Sequence, residues 1–170
     1  MRKPVYRYFT VIGLLAVSAL LSSCQEKRPI TGKVPTIALK SYSGETFTLA
    51  SDDKEVTLLV FWATWCQPCL MEMPTLVKLH DKYKDRKFRV VSINVDDPEG
   101  QKVKSIARDF GINYPVLIGN EEVMKQFGGI VALPTSFLIG RDGRILEKLQ
   151  GLYPEEHLEH LVVQALAPEG

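Results

Sequence analysis

Two cysteines three residues apart, in Cys66-Gln67-Pro68-Cys69, carry the most specific chemistry in the sequence. A disulfide between them would close too small a loop to restrain the unfolded chain much, so a purely structural staple explains the spacing poorly. A structural zinc site needs four ligands, and the sequence has no second cysteine pair. Its histidines are His80, His157 and His160. His80 falls about 16 Å of helical rise beyond Cys69, on an apolar stripe with Met73, Leu76, Val77 and Tyr83, and reads as a packed residue. His157 and His160 lie off the Leu158, Leu161, Val162 and Ala165 face and read as solvated, so no metal is expected. Thiol–disulfide exchange remains: one thiolate attacks a substrate disulfide, and the second cysteine resolves the mixed disulfide.

That chemistry needs a thiol of depressed pKa, and the flanking segments are suited to provide one. Residues 56–62 form a continuous apolar run, the pattern of a strand buried on both faces. Pro68 fits the first turn of a helix whose buried stripe, Leu70, Met73, Val77 and Tyr83, runs to about Lys84. Cys66 then lies between strand and helix, where unpaired N–H groups and the helix dipole favour a thiolate. It is expected to be the exposed nucleophile, with Cys69, one turn in, as the shielded resolving thiol. Pro74 should kink the helix, because it removes the bond to the Leu70 carbonyl.

The remaining elements continue an alternation of strands and helices. Residues 37–39 and 46–49 read as short edge strands around Ser43-Gly44, and 88–95 as a second buried strand. Asp97-Pro98 supplies an N-cap and first-turn proline for a helix carrying Val103, Ile106, Ala107 and Phe110, so Asp96 and Asp97 read as turn and cap residues. A short strand at 115–118 and a short helix at 121–127 follow, then a hairpin of 135–139 and 144–149 about Arg141-Asp142-Gly143, and a last helix at 155–166. This order implies an α/β sheet with helices on both faces.

The first residues point outward from the cytoplasm. Arg2, Lys3 and Arg7 precede an uncharged run from 9 to 21, too short to span a bilayer comfortably but suited to an export signal. The run ends in Leu21-Ser22-Ser23-Cys24, which resembles the bacterial lipobox. The resemblance implies a lipoprotein signal peptide at 1–23, an acylated Cys24, a membrane-proximal linker at 24–35 containing Pro29, Gly32 and Pro35, and a domain at 36–170. An ordinary signal peptide with an incidental Cys24 and an uncleaved anchor are the alternative readings. Gln25, where an Asp commonly favours inner-membrane retention, leans towards onward export. Beyond Cys24, 18 Lys and Arg face 20 Asp and Glu, which offers nucleic acid no basic partner.

The segment Trp62-Ala63-Thr64-Trp65-Cys66-Gln67-Pro68-Cys69 resembles the thioredoxin active-site motif, within a similarity spanning about 34–167. Closer still is the ResA/TlpA group of membrane-anchored thioredoxin-like proteins, whose Cys-x-Pro-Cys-x-x-Glu-x-Pro pattern recurs as Cys66, Pro68, Cys69, Glu72 and Pro74. Val95-Asp96-Asp97, Tyr114-Pro115-Val116-Leu117 and Leu133-Pro134-Thr135-Ser136-Phe137 also resemble that group. The resemblance implies a thioredoxin-like central mixed sheet flanked by helices on both faces, with an extra βα insertion at about 103–128. It implies that Pro134 is a cis-proline against the cysteine pair, with Leu133 and Thr135 beside it at the substrate. Trp65 is expected in the substrate-facing wall, and Trp62 in the core. Glu72 matches an acid that tunes thiol ionisation and passes a proton to the outgoing Cys69 thiolate. Thioredoxin places a buried Asp in the preceding strand, where this chain has Val60.

The implied partners are disulfide-containing exported proteins, apocytochrome c with its CxxCH disulfide among them, and a membrane thiol-transfer protein as electron donor. No cofactor beyond the cysteine pair is implied. A thiol peroxidase would carry Pro seven residues and Thr three residues before the reactive cysteine, where this chain has Leu59 and Ala63. A Sco-type copper chaperone uses CxxxC with a distant His. Gln67-Pro68 leaves the direction of electron flow open, because potentials of such pairs run from about −120 to −270 mV.

Overall fold

The computed structural model describes residues 32–50 and 54–168; the signal segment, Cys24 and most of the linker lie outside them. The strands there are β1 (Ile37–Lys40), β2 (Thr46–Leu49), β3 (Val56–Trp62), β4 (Phe88–Asn94), β5 (Val116–Ile118), β6 (Thr135–Ile139) and β7 (Ile145–Gln150). The α-helices are α1 (Gln67–Tyr83), α2 (Gln101–Asp109), α3 (Glu121–Gln126) and α4 (Glu155–Leu166).

All of β3 is buried, and its position in the sheet gives the reason. The sheet order is β5-β4-β3-β6-β7, with β3 parallel to β4 and antiparallel to β6. Alternation along β3 sends Val56, Leu58, Val60 and Trp62 into one cluster, with Met73 and Leu76 of α1, Val103 of α2, and Leu158 and Val162 of α4. Leu59 and Phe61 point the other way, into a cluster with Val123 of α3, Phe127, Ile37 and Leu49. A strand covered on both faces has no polar side to show, hence the unbroken apolar run. The expected central mixed sheet with helices on both faces is present, and α2, β5 and α3 fill the β4-to-β6 connection where the insertion was expected.

Several local expectations are corrected. β1 and β2 are not edge strands of the central sheet; they pair with each other as a separate antiparallel ribbon, joined to that sheet by an isolated bridge between Ser41 and Leu117. Lys33 and Val34, placed in the linker by their Pro and Gly neighbours, are already docked. Lys33 bridges to Arg144, and Val34 is buried and donates its N–H to the Gly143 carbonyl. Helix α1 continues past exposed Pro74 to Tyr83, and its buried face holds Met73, Leu76 and Tyr83 as expected, with Leu79 added and with Val77 and Leu70 only half-buried. Helix α2 starts at Gln101, because Gly100 donates to the Asp97 carbonyl and closes a turn first. The Asp97 carboxylate still serves the helix, accepting the Val103 N–H at 2.9 Å.

Gly100 is required there. Its φ of +74° lies in the left-handed region, and a Cβ would sit 2.1 Å from Cδ1 of Tyr42. Gly100→Ala is expected to destabilise the fold by roughly 2 kcal/mol or more through backbone strain and overpacking, read as a lower urea midpoint at unchanged slope.

Candidate active site

The polypeptide leaves β3 at Trp62, whose carbonyl accepts the Val95 N–H, and makes a turn closed by Cys66 N–H donating to the Ala63 carbonyl. Leu70 N–H then donates to the Cys66 carbonyl and α1 begins. Cys66 is the N-cap, and its Sγ accepts the Cys69 N–H at 3.3 Å. Pro68 lies in the first turn, where a missing N–H breaks no helical bond. Cys66 and Cys69 are joined in a disulfide with an S–S length of 2.05 Å. Exposure does not separate them as expected: Cys66 is 3% and Cys69 2% exposed, because both pack in the cluster of Trp62, Ala63 and Met73. Their positions do separate them. The Cys66 sulfur receives a backbone N–H at the positive end of the helix, the place where a thiolate is stabilised.

One turn along, Glu72 is 2% exposed, and it is the one buried Asp or Glu among the described residues. Burial pushes its carboxyl up to about 7. Oε2 has no hydrogen-bond partner among the described residues. Tyr114 is raised too, first by burial and then by the Glu72 charge, which makes the two electrostatic neighbours. Val60, in the position of thioredoxin's buried Asp, is itself buried and apolar. His80 accepts the Val90 N–H on Nδ1 at 3.2 Å and meets the Tyr114 ring edge-on, with its pKa lowered by burial and then by Lys84. It is a packed histidine, as its place on the apolar stripe predicts. His157 stacks on Tyr153. Among the described residues no three His, Cys, Asp or Glu side chains are grouped to hold a metal.

The third part of the site comes from β6. Thr135 pairs with Phe61 in the sheet register, which sets Pro134 beside the exit of β3, and the Leu133–Pro134 peptide is cis. Leu133 is half-buried, whereas Thr135 is fully buried and its hydroxyl donates to the Ala132 carbonyl at 2.7 Å. The Thr135 side chain therefore supports the loop from behind. Trp65 is 74% exposed, and with Leu133 it lines an apolar groove of about 350 Å³. The groove is completed by Val95 of the Val95-Asp96-Asp97 motif and by Met124, Ile130, Val131 and Ala132, which the motifs did not single out. The available signal was the apolar run Ile130-Val131-Ala132, which follows two glycines and belongs to no strand.

The AhpC/TSA family model matches residues 30–148. The thiol-disulfide oxidoreductase ResA of Bacillus cereus is 31% identical over 160 residues, covering 89% of this chain and 91% of its own. The chain belongs to the AhpC/TSA family and, within it, to the ResA-type thiol-disulfide oxidoreductases. The thioredoxin-like protein YneN of Bacillus subtilis is 31% identical over 129 residues, 75% of each chain. Among solved structures, a thiol:disulfide interchange protein of the thioredoxin family from Chlorobium tepidum superposes with a TM-score of 0.74 at 30% identity, covering 82% of this chain and 98% of that one. The cysteine pair of this ResA-type chain is thus a redox-active dithiol/disulfide on a thioredoxin-like fold.

Asp96, expected as a turn residue, has its carboxylate against the loop that leads to Cys66. Oδ1 accepts the Thr64 N–H and the Asn94 Nδ2–H, each at 2.8 Å, and Oδ2 accepts the Thr64 hydroxyl at 2.6 Å.

Proposed function

We propose that the chain works outside the cytoplasm, held to a membrane by an acylated Cys24, as a reductant of disulfides in exported proteins, apocytochrome c among them. The observation that carries this reading is the Cys66–Cys69 disulfide at the head of α1, with the Cys66 sulfur taking a helix N–H and buried Glu72 one turn behind. In the reduced protein the Cys66 thiolate attacks a substrate disulfide, forming a mixed disulfide and releasing one substrate thiolate. Cys69 loses its proton to Glu72 and attacks Cys66 Sγ, releasing the second substrate thiolate and leaving the protein oxidised by two electrons. A membrane thiol-transfer donor reverses these steps on the Cys66–Cys69 disulfide. As Cys69 leaves, protonated Glu72 returns the proton. The groove of Trp65, Met124 and Leu133 offers apolar surface to residues flanking the substrate cysteine. Peroxide reduction is not proposed, because buried Leu59 and Ala63 occupy the positions where that chemistry has Pro and Thr. Copper transfer is not proposed either: the spacing is CxxC, and His80 Nδ1 is already an acceptor for Val90.

Equilibration with glutathione tests the direction. A reductant is expected nearer about −270 mV than about −120 mV, with turnover of insulin disulfides under a thiol donor. A potential at the oxidising end would overturn the assignment as a reductant. Expressing cells fed labelled palmitate are expected to incorporate it into the parent chain and not into Cys24→Ala; a parent chain that takes up no label would refute the acyl anchor.

A further inference from the structure

The turn before the nucleophile is pinned from a neighbouring strand. Cys66 reaches its N-cap position through Ala63-Thr64-Trp65, and one carboxylate holds both the backbone N–H and the hydroxyl of Thr64. That carboxylate, Asp96, is itself fixed. Asn94, 1% exposed at the end of β4, donates Nδ2–H to Asp96 and accepts on Oδ1 the N–H groups of Asp96, at 3.3 Å, and Asp97, at 2.9 Å. Tyr42, from the ribbon of β1 and β2, donates its hydroxyl to Asn94 Oδ1 at 3.2 Å and to the Asp97 carbonyl. Charge-assisted bonds of this kind are about twice as strong as neutral ones, and two of them on one residue fix its orientation as well as its place.

We propose that Asp96 is a positioning residue for the nucleophile: by clamping Thr64 it sets the turn that presents the Cys66 sulfur to the N–H groups at the head of α1. The proposal rests on the reading of Cys66 as the attacking thiol. It makes a prediction opposite to that of a simple charge effect. A bare carboxylate near Cys66 would disfavour the thiolate, so its removal would lower the thiol pKa; release of the turn misaligns the helix end and raises it. The other ionisable groups are Glu72, one turn along α1 from Cys69, with Tyr114 as its electrostatic neighbour, and Asp97 and Tyr42 inside the clamp network, and each is retained in every variant below.

The test compares the reduced full chain with Asp96→Ala, Asp96→Asn and Thr64→Ala, reading the pH dependence of Cys66 alkylation by iodoacetamide beside insulin reduction. Asp96→Ala is expected to slow alkylation near neutral pH about tenfold and to move its midpoint upward, as thiolate stabilisation at the helix end is lost. Thr64→Ala should move both in the same direction by less. Asp96→Asn, which keeps an acceptor for the Thr64 N–H and a polar partner for its hydroxyl, should recover part of the parent rate. Equal lowering of the midpoint by Asp96→Ala and Asp96→Asn, with Thr64→Ala unchanged, would make Asp96 a charge and overturn the proposal, as would parent-like profiles throughout. If Asp96→Ala does not fold, the other two variants still decide. A parent that alkylates at Cys66 but does not reduce insulin would instead count against the proposed function and leave the clamp standing.

Discussion

Cys66→Ser is expected to bring insulin-disulfide reduction down to the uncatalysed background, and Cys69→Ser to trap the substrate on Cys66 as a mixed disulfide. The asymmetry follows from the helix end. Only the residue-66 sulfur has the N-cap position, with a backbone N–H directed at it and the positive end of α1 behind it. A serine there has neither the acidity nor the nucleophilicity to attack a disulfide. Serine at 69 leaves the attack intact and removes the thiol that would release the product. Non-reducing electrophoresis of the Cys69→Ser chain with oxidised insulin should therefore show a covalent adduct that collapses on adding dithiothreitol. Adducts of equal yield from both variants would mean that the cysteines exchange roles and that the cap geometry does not select the nucleophile.

How much of this was legible without coordinates differs by residue, and the differences have physical causes. The continuous run of β3, the hairpin of β6 and β7 and the whole of α4 were readable because burial on two faces, turn chemistry and helical periodicity are local in sequence. The start of α2 was misplaced because Asp97-Pro98 is an equally good opening for a turn, and the left-handed Gly100 decided between them. Similarity to known motifs drew attention to Glu72, and its spacing from Cys69 and Leu76 puts it on their side of α1, but a helical Glu is ordinarily solvated and its full burial is a tertiary fact. Asp96 shows the limit most clearly. Its partner Thr64 is 32 residues away, and only the parallel pairing of β3 with β4 brings the two loops together. The groove shares this origin, since Trp65 follows β3, Met124 lies on α3 and Leu133 precedes β6.

Glu72→Gln should change both the stability profile and the turnover of the protein. The folded pKa of about 7 lies above the ordinary 4.5, so the native state holds this proton more tightly than the unfolded chain does. Below about 4.5 both states carry the proton and no penalty arises. As pH rises from there, the unfolded chain ionises first and native stability declines, until Glu72 ionises in the fold near 7 and the loss is complete. A displacement of that size corresponds to about 3 kcal/mol. Urea unfolding of the oxidised protein should therefore show stability falling between about pH 4.5 and 8, with the Glu72→Gln variant flatter over the same window. A parent profile with no more slope than the variant would show that Glu72 is not held at a raised pKa. The kinetic effect runs through the same proton. With a pKa near 7, Glu72 can accept the Cys69 proton in one half of the cycle and return it in the other, whereas Gln can do neither. Glu72→Gln is accordingly expected to slow turnover about a hundredfold at neutral pH while leaving the first attack by Cys66 near the parent rate. Stopped-flow measurement of mixed-disulfide formation and decay separates the steps: slowing confined to decay supports proton transfer at Cys69, and slowing of formation instead would place Glu72 on the nucleophile.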